Sequence, residues 1–597
     1  MQSQRSVLYL LTGVILAAAS GGLAATNWVE FSGGTVQNIV DVPPDVTGVR
    51  ALNGTVQFRV GNTYSGGTEI LGGICYLYES PPNPFGSGPV SIRGGRLQAM
   101  GDVTVANSVT IDGNFSFGCG NASYPDDDIS FSQPVTLTGN RTLAAYDGDG
   151  TGDVDLKFLS GIGDGGNGYS LSLAREANAD HSGGIQIYAG STYSGSTIAH
   201  GSTIHLYGLL DSTADVLLNR GGAVLCYYTA SGSNTKLGDT VPVYLRGGTL
   251  GIYGSEGGGV QWAVDETIGW AGLDFGHSTL SAGAKRARAS LTLTEVERDA
   301  GSTAIFYRSG TSQAASYDTY GYGRIYMTGQ TNGFVGGWAL ARRSEYISGI
   351  QEDSGYDFAW YLSGGGRLSG VLPLSLSGQA RPGQVEGAAA TNHVKAVSAQ
   401  TALSGNAQIA SLCVSGARTN DLGGYRLDIT SGGLLSTSDY EISGGTLTSS
   451  GGAMYLYNLG GTMTVAAGIA GASYSVSTVG SMTLSGANSM KDLYVNRGKL
   501  VLSSANTFGS IAQVAPGATL SVEHPDALSA SLSLSLLFDG EEHGVCNLSN
   551  DVAVADLLTN GVALAKGEYN NASLPDYLSG GGSISVLGPP GFLLIVK

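Results

Sequence analysis

Apolar positions along this chain recur at every second residue over short runs. In Val241-Pro242-Val243-Tyr244-Leu245-Arg246 the apolar Val241, Val243 and Leu245 alternate with residues of other kinds. A period of two is that of a β-strand, whose successive side chains point to opposite faces. Gly247-Gly248 interrupts the run, and Thr249-Leu250-Gly251-Ile252-Tyr253 restarts the alternation. Paired glycines reach φ > 0 without a Cβ clash, so the chain can turn a sharp corner there. The same unit of strand, corner and strand returns in Gly88-Pro89-Val90-Ser91-Ile92-Arg93-Gly94-Gly95-Arg96-Leu97, and the corner alone at Gly444-Gly445 and Gly460-Gly461.

A second phrase also repeats. Asn62-Thr63-Tyr64-Ser65-Gly66-Gly67-Thr68 is echoed by Ser191-Thr192-Tyr193-Ser194-Gly195-Ser196-Thr197, and more loosely by Leu484-Ser485-Gly486-Ala487-Asn488. Strand-and-corner repeats with no helix between them can bury their apolar faces only against the next repeat, which is the logic of a solenoid. The fold expected is all-β, a parallel β-helix. Composition agrees, since 95 glycines and 13% charged residues in 597 are unsuited to helical domains. Short runs of Leu, Val and Ile throughout supply the apolar surface that a disordered Gly/Ser chain lacks.

Charge narrows the partners. A formal charge of -18 argues against nucleic acid and anionic lipid surfaces, and favours cations, glycans or surface proteins. At the start, Arg5, the apolar Val7 to Ala19 and the small residues Gly22-Leu23-Ala24 read as a signal peptide over residues 1–24. The apolar run is shorter than the ~20 residues that span a bilayer, and the mature chain offers no transmembrane segment. The protein is therefore expected to be exported to the periplasm, cell surface or extracellular space. Cys75, Cys119, Cys226, Cys413 and Cys546 are odd in number and widely scattered, which suits small buried residues better than a disulfide framework or a zinc site.

Taken with their flanks, the phrases N-T-Y-S-G-G-T, P-V-x-L-x-G-G-T-L and L-S-G-A-N resemble the autotransporter-associated β-strand repeats of bacterial passenger domains. Asn332-Gly333-Phe334-Val335-Gly336-Gly337-Trp338-Ala339 and Phe358-Ala359-Trp360 resemble that family's Gly-Gly-Trp-Ala module. Val554 to Val586 resembles its terminal segment. The resemblance implies an N-terminal β-helix with repeats over 25–330, the module and a link over 331–400, a C-terminal β-helix over 401–520, and terminal coils with a cap over 521–597. The two lengths of β-helix are expected to stack, joined by an irregular aromatic-rich module between Tyr317 and Tyr361. The strands of a translocator barrel, alternating around a closed wall with aromatic girdles, are not legible after Thr401.

Several strings invite chemistry. Asp147-Gly148-Asp149-Gly150-Thr151-Gly152-Asp153-Val154-Asp155 places oxygen ligands at alternate positions around glycines, as in a calcium loop, although Phe158 stands where a bidentate Glu belongs. Asp147, Asp149, Asp153 and Asp155 are the candidate metal residues, for weak Ca2+; no other cofactor is expected. Gly161-Ile162-Gly163-Asp164-Gly165-Gly166 fits dinucleotide-binding spacing but lacks the βαβ unit that motif requires, and reads as a corner. Gly310-Thr311-Ser312-Gln313-Ala314 and Asp353-Ser354-Gly355 stand in the wrong order for a subtilisin-like site. Asp126-Asp127-Asp128 reads as a solvated acidic turn, and Gly276-His277-Ser278 as a fragment of a polygalacturonase signature.

Two functions follow. The first is an exported, non-catalytic structural or adhesive β-solenoid, with no catalytic residues and with Gly94, Gly95, Gly247, Gly248, Gly444 and Gly445 as structural corners. The alternative is a polysaccharide-active β-helix enzyme, a lyase or glycoside hydrolase, for which a groove with two or more carboxylates and an arginine on stacked coils would be the sign. Mass spectrometry of protein recovered from the envelope or medium should find a chain starting near Ala25. Recovery with Met1 to Ala24 intact would refute the signal peptide.

Overall fold

The computed structural model describes residues 28–588 apart from 33–36, 40–47, 60, 80–83, 120–126, 147–154, 177–182, 229–234, 255, 258–259, 262–263, 285–288, 311–322, 348–349, 365–367, 399 and 417. Nearly every element is a strand; a single turn of 3-10 helix, Leu374–Leu376, is the exception among these residues. The strands form parallel sheets wound as a β-solenoid. The chain divides into two compact units, one of residues 1–216, 224–226 and 236–241, the other of residues 217–223, 227–235 and 242–597.

In the first unit three parallel sheets enclose one core, and the coils stack in register, so inward side chains line up in columns. On one face Ala51, Ile70, Ile92, Ile111 and Leu137 are successive partners. On another, Val105, Phe131, Phe158, Ile187 and Leu206 follow one another. All of these are at most 1% exposed, and each fully buried aliphatic or aromatic side chain contributes ~1.5–3 kcal/mol. No disulfide joins the five cysteines, all of which are buried. Cys75, for example, sits between Val56 and Leu97 in an inward column.

The repeated tyrosine phrase has a structural meaning of its own. Tyr64 is fully buried and its hydroxyl is 2.6 Å from Thr68 Oγ1. Tyr193 and Thr197 repeat the arrangement at 2.7 Å. In both copies the tyrosine fills the inside of a corner while the threonine four residues on satisfies its hydroxyl, as a buried polar group requires.

The second unit begins with broader parallel strands, Thr249–Gly254, Val264–Leu273, His277–Ala284, Ala289–Arg298 and Thr303–Gly310. The parallel rule then breaks. Ala339–Ile347 pairs parallel with the preceding coil, but Ile350–Leu362 returns antiparallel to it, and Gly370–Pro373 is antiparallel again. From His393–Ala396 onward a second parallel solenoid is built.

The two lengths in this unit lie side by side and run in opposite directions, a refinement of the expected stacking. Asn219 donates to Asp539 O (2.7 Å) and Arg220 pairs with Glu542; further on, Asn496 donates to Gly301 O (2.7 Å); further still, Tyr457 donates to Gly337 O (3.0 Å). As residue numbers rise in one length they fall in the other. The reason is the aromatic module, whose antiparallel hairpin ends one stack. Its Phe334, Trp338, Tyr356, Phe358 and Trp360 pack with Cys413, Leu435, Tyr455 and Tyr457 of the second length. A buried ion pair, Arg381 with Asp357, ties the link to the hairpin, and Arg381 also donates to His393 O and Val394 O. At the far end the antiparallel pairs Asp556–Thr559 with Val562–Ala563, and Gly567–Asn570 with Ser583–Val586, close strand edges that would otherwise stay open.

The corner at 247–248 uses its two glycines differently. Gly247 has φ +86, whereas at Gly248 a Cβ would come within 2.6 Å of Leu218 C and Asn219 O. Gly247→Val and Gly248→Val should each lower stability, the first by roughly 1–3 kcal/mol through backbone strain. Gly247→Asn should recover part of that loss because Asn tolerates the left-handed region, while Gly248→Asn should recover none. Melting curves check this, and an unchanged midpoint in both valine variants would contradict it.

Candidate functional site

A surface groove of about 250 Å³ lies on the outer face of the second unit, lined by Tyr244, Trp270, Gly272, Leu273, Asp274, Glu297 and Asp299. Its shape follows from strand register. Tyr244 of Val243–Arg246 is the partner of Gly272 in Val264–Leu273, and Gly272 is the partner of Glu297 in Ala289–Arg298. Outward columns in a solenoid normally carry a side chain at every coil; here the middle coil contributes none. The space between Tyr244 and Glu297 that a side chain at 272 would take is covered by Trp270, whose Cη2 would lie 2.4 Å from any Cβ there, so Gly272 is buried beneath the ring. Trp270 meets Tyr244 edge to face, with ring centroids 4.8 Å apart.

Carboxylates form the other wall. Arg246 Nε donates to Asp274 Oδ2 at 2.8 Å across one coil, and the N–H of Asp299 bonds Leu273 O (2.9 Å), placing Asp299 on the coil after Asp274. Burial, and then the charges of Asp274 and Glu297, push the Asp299 carboxyl above its usual range, with Arg298 opposing. The Arg298 guanidinium is engaged elsewhere, donating to Ser302 O and Tyr455 Oη and lying over the Trp338 ring. Of the three acidic side chains, Asp274 is paired with Arg246, and Asp299 feels the charge of Arg298. The strand pattern gave Tyr244 and Leu245 but not the groove, since nothing in the spacing marks Gly272 as the partner of both walls.

The residues singled out from sequence lie elsewhere. Asp147, Asp149 and Asp153 fall outside the described residues. Asp155 accepts from Gly184 N–H (2.9 Å) and from the Gln186 amide, while its own N–H bonds Asp128 Oδ1 (3.1 Å). Asp128 in turn bonds Asp102 Oδ1 through its N–H (3.1 Å), so each aspartate caps the next coil. Burial raises the pKa of Asp155 against those hydrogen bonds. Within the acidic triplet, Asp128 pairs with Lys157 and Asp127 accepts from Gly101 N–H, so these two fasten coils together rather than forming a free turn; Asp126 falls outside the described residues. Among the described residues no group of three or more His, Cys, Asp and Glu is arranged to hold a metal ion.

The enzyme-like strings are structural where they are described. His277 is buried beside Tyr457, its Nδ1 is 2.8 Å from Thr303 Oγ1, and burial lowers its pKa to about 3. Ser354 sits at an irregularity in the hairpin, where it accepts from Arg343 N–H (3.0 Å), and Asp353 pairs with Arg342. Residues 311–314 fall outside the described residues. Of the aromatic concentration, Phe358 and Tyr361 are buried and Phe334, Trp338 and Trp360 are half-buried in the packed module. The corner glycines lie between strands: Gly95 (φ +80), Gly444 (φ +65) and Gly445 (φ +150) share the positive φ of Gly247, whereas a Cβ at Gly94 would meet Leu71 O at 2.9 Å.

Part of the chain is similar to a known adhesin. Over 161 residues it is 26% identical to the adhesin BmaC autotransporter of Brucella suis biovar 1 (strain 1330), a stretch that covers 26% of this chain and 5% of that protein. No protein-family model matches the chain and no solved structure matches it. The similarity and the solenoid together fit a passenger-like protein, while the repeat family itself rests on the resemblance of its phrases. No helix among the described residues is long and apolar enough to cross a membrane.

The loop at 161–166 holds an aspartate that the corner depends on. Asp164 is 1% exposed and accepts from the N–H groups of Gly166 (2.8 Å), Tyr169 (2.9 Å) and Ser194 (3.1 Å). Burial opposes its charge, but those hydrogen bonds hold its pKa down at about 2, below the ordinary 3.8. A depressed carboxylate stabilises the fold above its unfolded pKa, and that stabilisation disappears as pH falls through the folded value. Asp164→Ala should therefore cost on the order of 1–3 kcal/mol at neutral pH, with the gap to wild type closing between about pH 4 and about pH 2. Chemical denaturation at stepped pH measures it, and a gap independent of pH would remove the role given to ionised Asp164.

Proposed function

We propose that this protein is an exported, non-catalytic solenoid that serves a structural or adhesive role at the cell surface or in the extracellular matrix. The reading is carried by the partial identity to an autotransporter adhesin in a chain whose described strands are mostly wound as parallel β-solenoid. Its partners in this reading are glycans or surface proteins. A solenoid suits that role physically, because each coil contacts only its neighbours and the outer columns repeat along the stack as a long rigid face.

One observation favours the second reading, a polysaccharide-active enzyme. The groove holds Asp274, Glu297 and Asp299 on stacked coils, with Arg246 paired to Asp274, and acid, base and charge-stabilising groups on one face are what hydrolysis or elimination requires. Fold alone does not supply the chemistry. The mature protein, incubated with a panel of acidic, neutral and amine-bearing polysaccharides and with intact cells, separates the two. Retention without new reducing or unsaturated ends is expected. Product formation that depends on Glu297 or Asp299 would replace the adhesive reading with the enzymatic one, and failure to be retained on any surface would sink adhesion.

A further inference from the structure

We infer that the aromatic groove at Gly272 is a binding site for a saccharide that carries a protonated amine. The inference deepens the adhesive reading by giving it a ligand class. It starts from shape: with no side chain at 272 the Trp270 ring lies down over the glycine backbone between Tyr244 and Glu297, and with them lines the groove. A volume of about 250 Å³ lies just below the ~300 Å³ where drug-sized sites begin, which suits one ring at a time of a longer chain lying across the face.

Chemistry then selects among rings. Tyr244 and Trp270 offer faces for the apolar C–H side of a sugar, and aromatic faces also attract a cation. Opposite them stand Asp274, Glu297 and Asp299, of which Asp274 alone is held by Arg246. Uronates and sulfated glycans would add negative charge to a chain already at -18 and are excluded by repulsion. A neutral sugar would leave the mutual repulsion of Asp274, Glu297 and Asp299 in place. An ammonium relieves it. A lysine side chain would as well, but it offers Tyr244 and Trp270 no ring face and the carboxylates no hydroxyls, whereas an amino sugar adds both to its ammonium.

Calorimetry with the mature protein tests this without reference to cells, using a β-linked glucosamine oligomer, its N-acetylated counterpart and a lysine oligomer as probes. The glucosamine oligomer should bind at least about tenfold more tightly than the acetylated one, because acetylation removes the charge that the carboxylates and rings recognise. Binding should weaken with salt, and as pH falls far enough to protonate the groove. Trp270→Ala should abolish it. Glu297→Gln, an isosteric change at an exposed position that leaves the strand intact, should weaken it by about tenfold, and Gly272→Ala, whose Cβ would clash with the Trp270 ring, should weaken it by displacing that ring. Equal affinity for the two glucosamine probes, preference for the lysine oligomer, or full binding by Glu297→Gln would each overturn the proposal. Retention of wild type and Trp270→Ala on cells, measured in parallel, keeps the two readings apart. Equal retention without glucosamine binding leaves adhesion standing and removes the groove.

Discussion

The in-register parallel ladder is the constraint on which the rest of this molecule depends. Once one coil lies on another, each residue's surroundings are set chiefly by the residues one coil above and below it. Ile70, Ile92 and Ile111 are buried not because their own strands are hydrophobic but because each covers the next. A three-residue strand such as Val90–Ile92 has no stability alone, and gains it from a sheet seven strands deep. The polar interior obeys the same rule. Asn488 donates to Asn506 (2.6 Å) across one coil and accepts from Ile469 N–H across the other, so a buried amide is satisfied only while the stack is intact.

Where the ladder ends, something must replace it. In the second unit the replacement is the antiparallel aromatic module, which turns inward-facing columns into a packed cluster shared with the returning solenoid. The interface between the two lengths is unusually polar for a core. Thr303 Oγ1 lies within 3.1 Å of Ser477 Oγ and within 3.3 Å of Asn496 Nδ2, with His277 on its other side. Apolar faces alone could slide by one coil, since the coil repeat is nearly uniform; buried hydrogen bonds penalise every other register by leaving donors and acceptors unpaired. The Arg381–Asp357 pair acts likewise at the turn. Its carboxylate also accepts from Phe358 N–H (2.9 Å) and Ser375 N–H (3.2 Å), so the buried charge is met from several sides and holds one geometry of the link.

Much of this was legible in the sequence because a period of two and a glycine corner are local signals. Val243-Tyr244-Leu245-Arg246-Gly247-Gly248-Thr249-Leu250 states its own strands and turn. The Tyr64 to Thr68 phrase was visible as a repeat, although its buried hydroxyl contact was not, because a repeat announces recurrence and not the direction of a side chain. The fold-back was illegible for a deeper reason. Asn219 and Asp539 are 320 residues apart, and no local pattern records which outer column of one solenoid length meets which of another. Sequence also made the acidic triplet a free turn, whereas Asp128 fastens coils, a role that depends on Lys157 and Asp155 arriving at the same column one coil later.

The groove shows how function can enter such a fold at small structural cost. Inward columns are under tight packing control, where a lost methylene is felt at once. Outward columns are not: Tyr244, Gly272 and Glu297 occupy equivalent sites on three successive coils, and the ladder hydrogen bonds are made by the backbone whatever the side chain. Removing a side chain at one coil therefore lets a neighbouring ring lie down on the backbone without breaking a strand, and the residues above and below flank it. Here that ring is Trp270, two residues away on the same strand and same face, which covers Gly272 and meets Tyr244. A glycine in an outward column, covered by an aromatic ring and followed by acids on the next coil, is thus a feature that the scaffold permits but does not require.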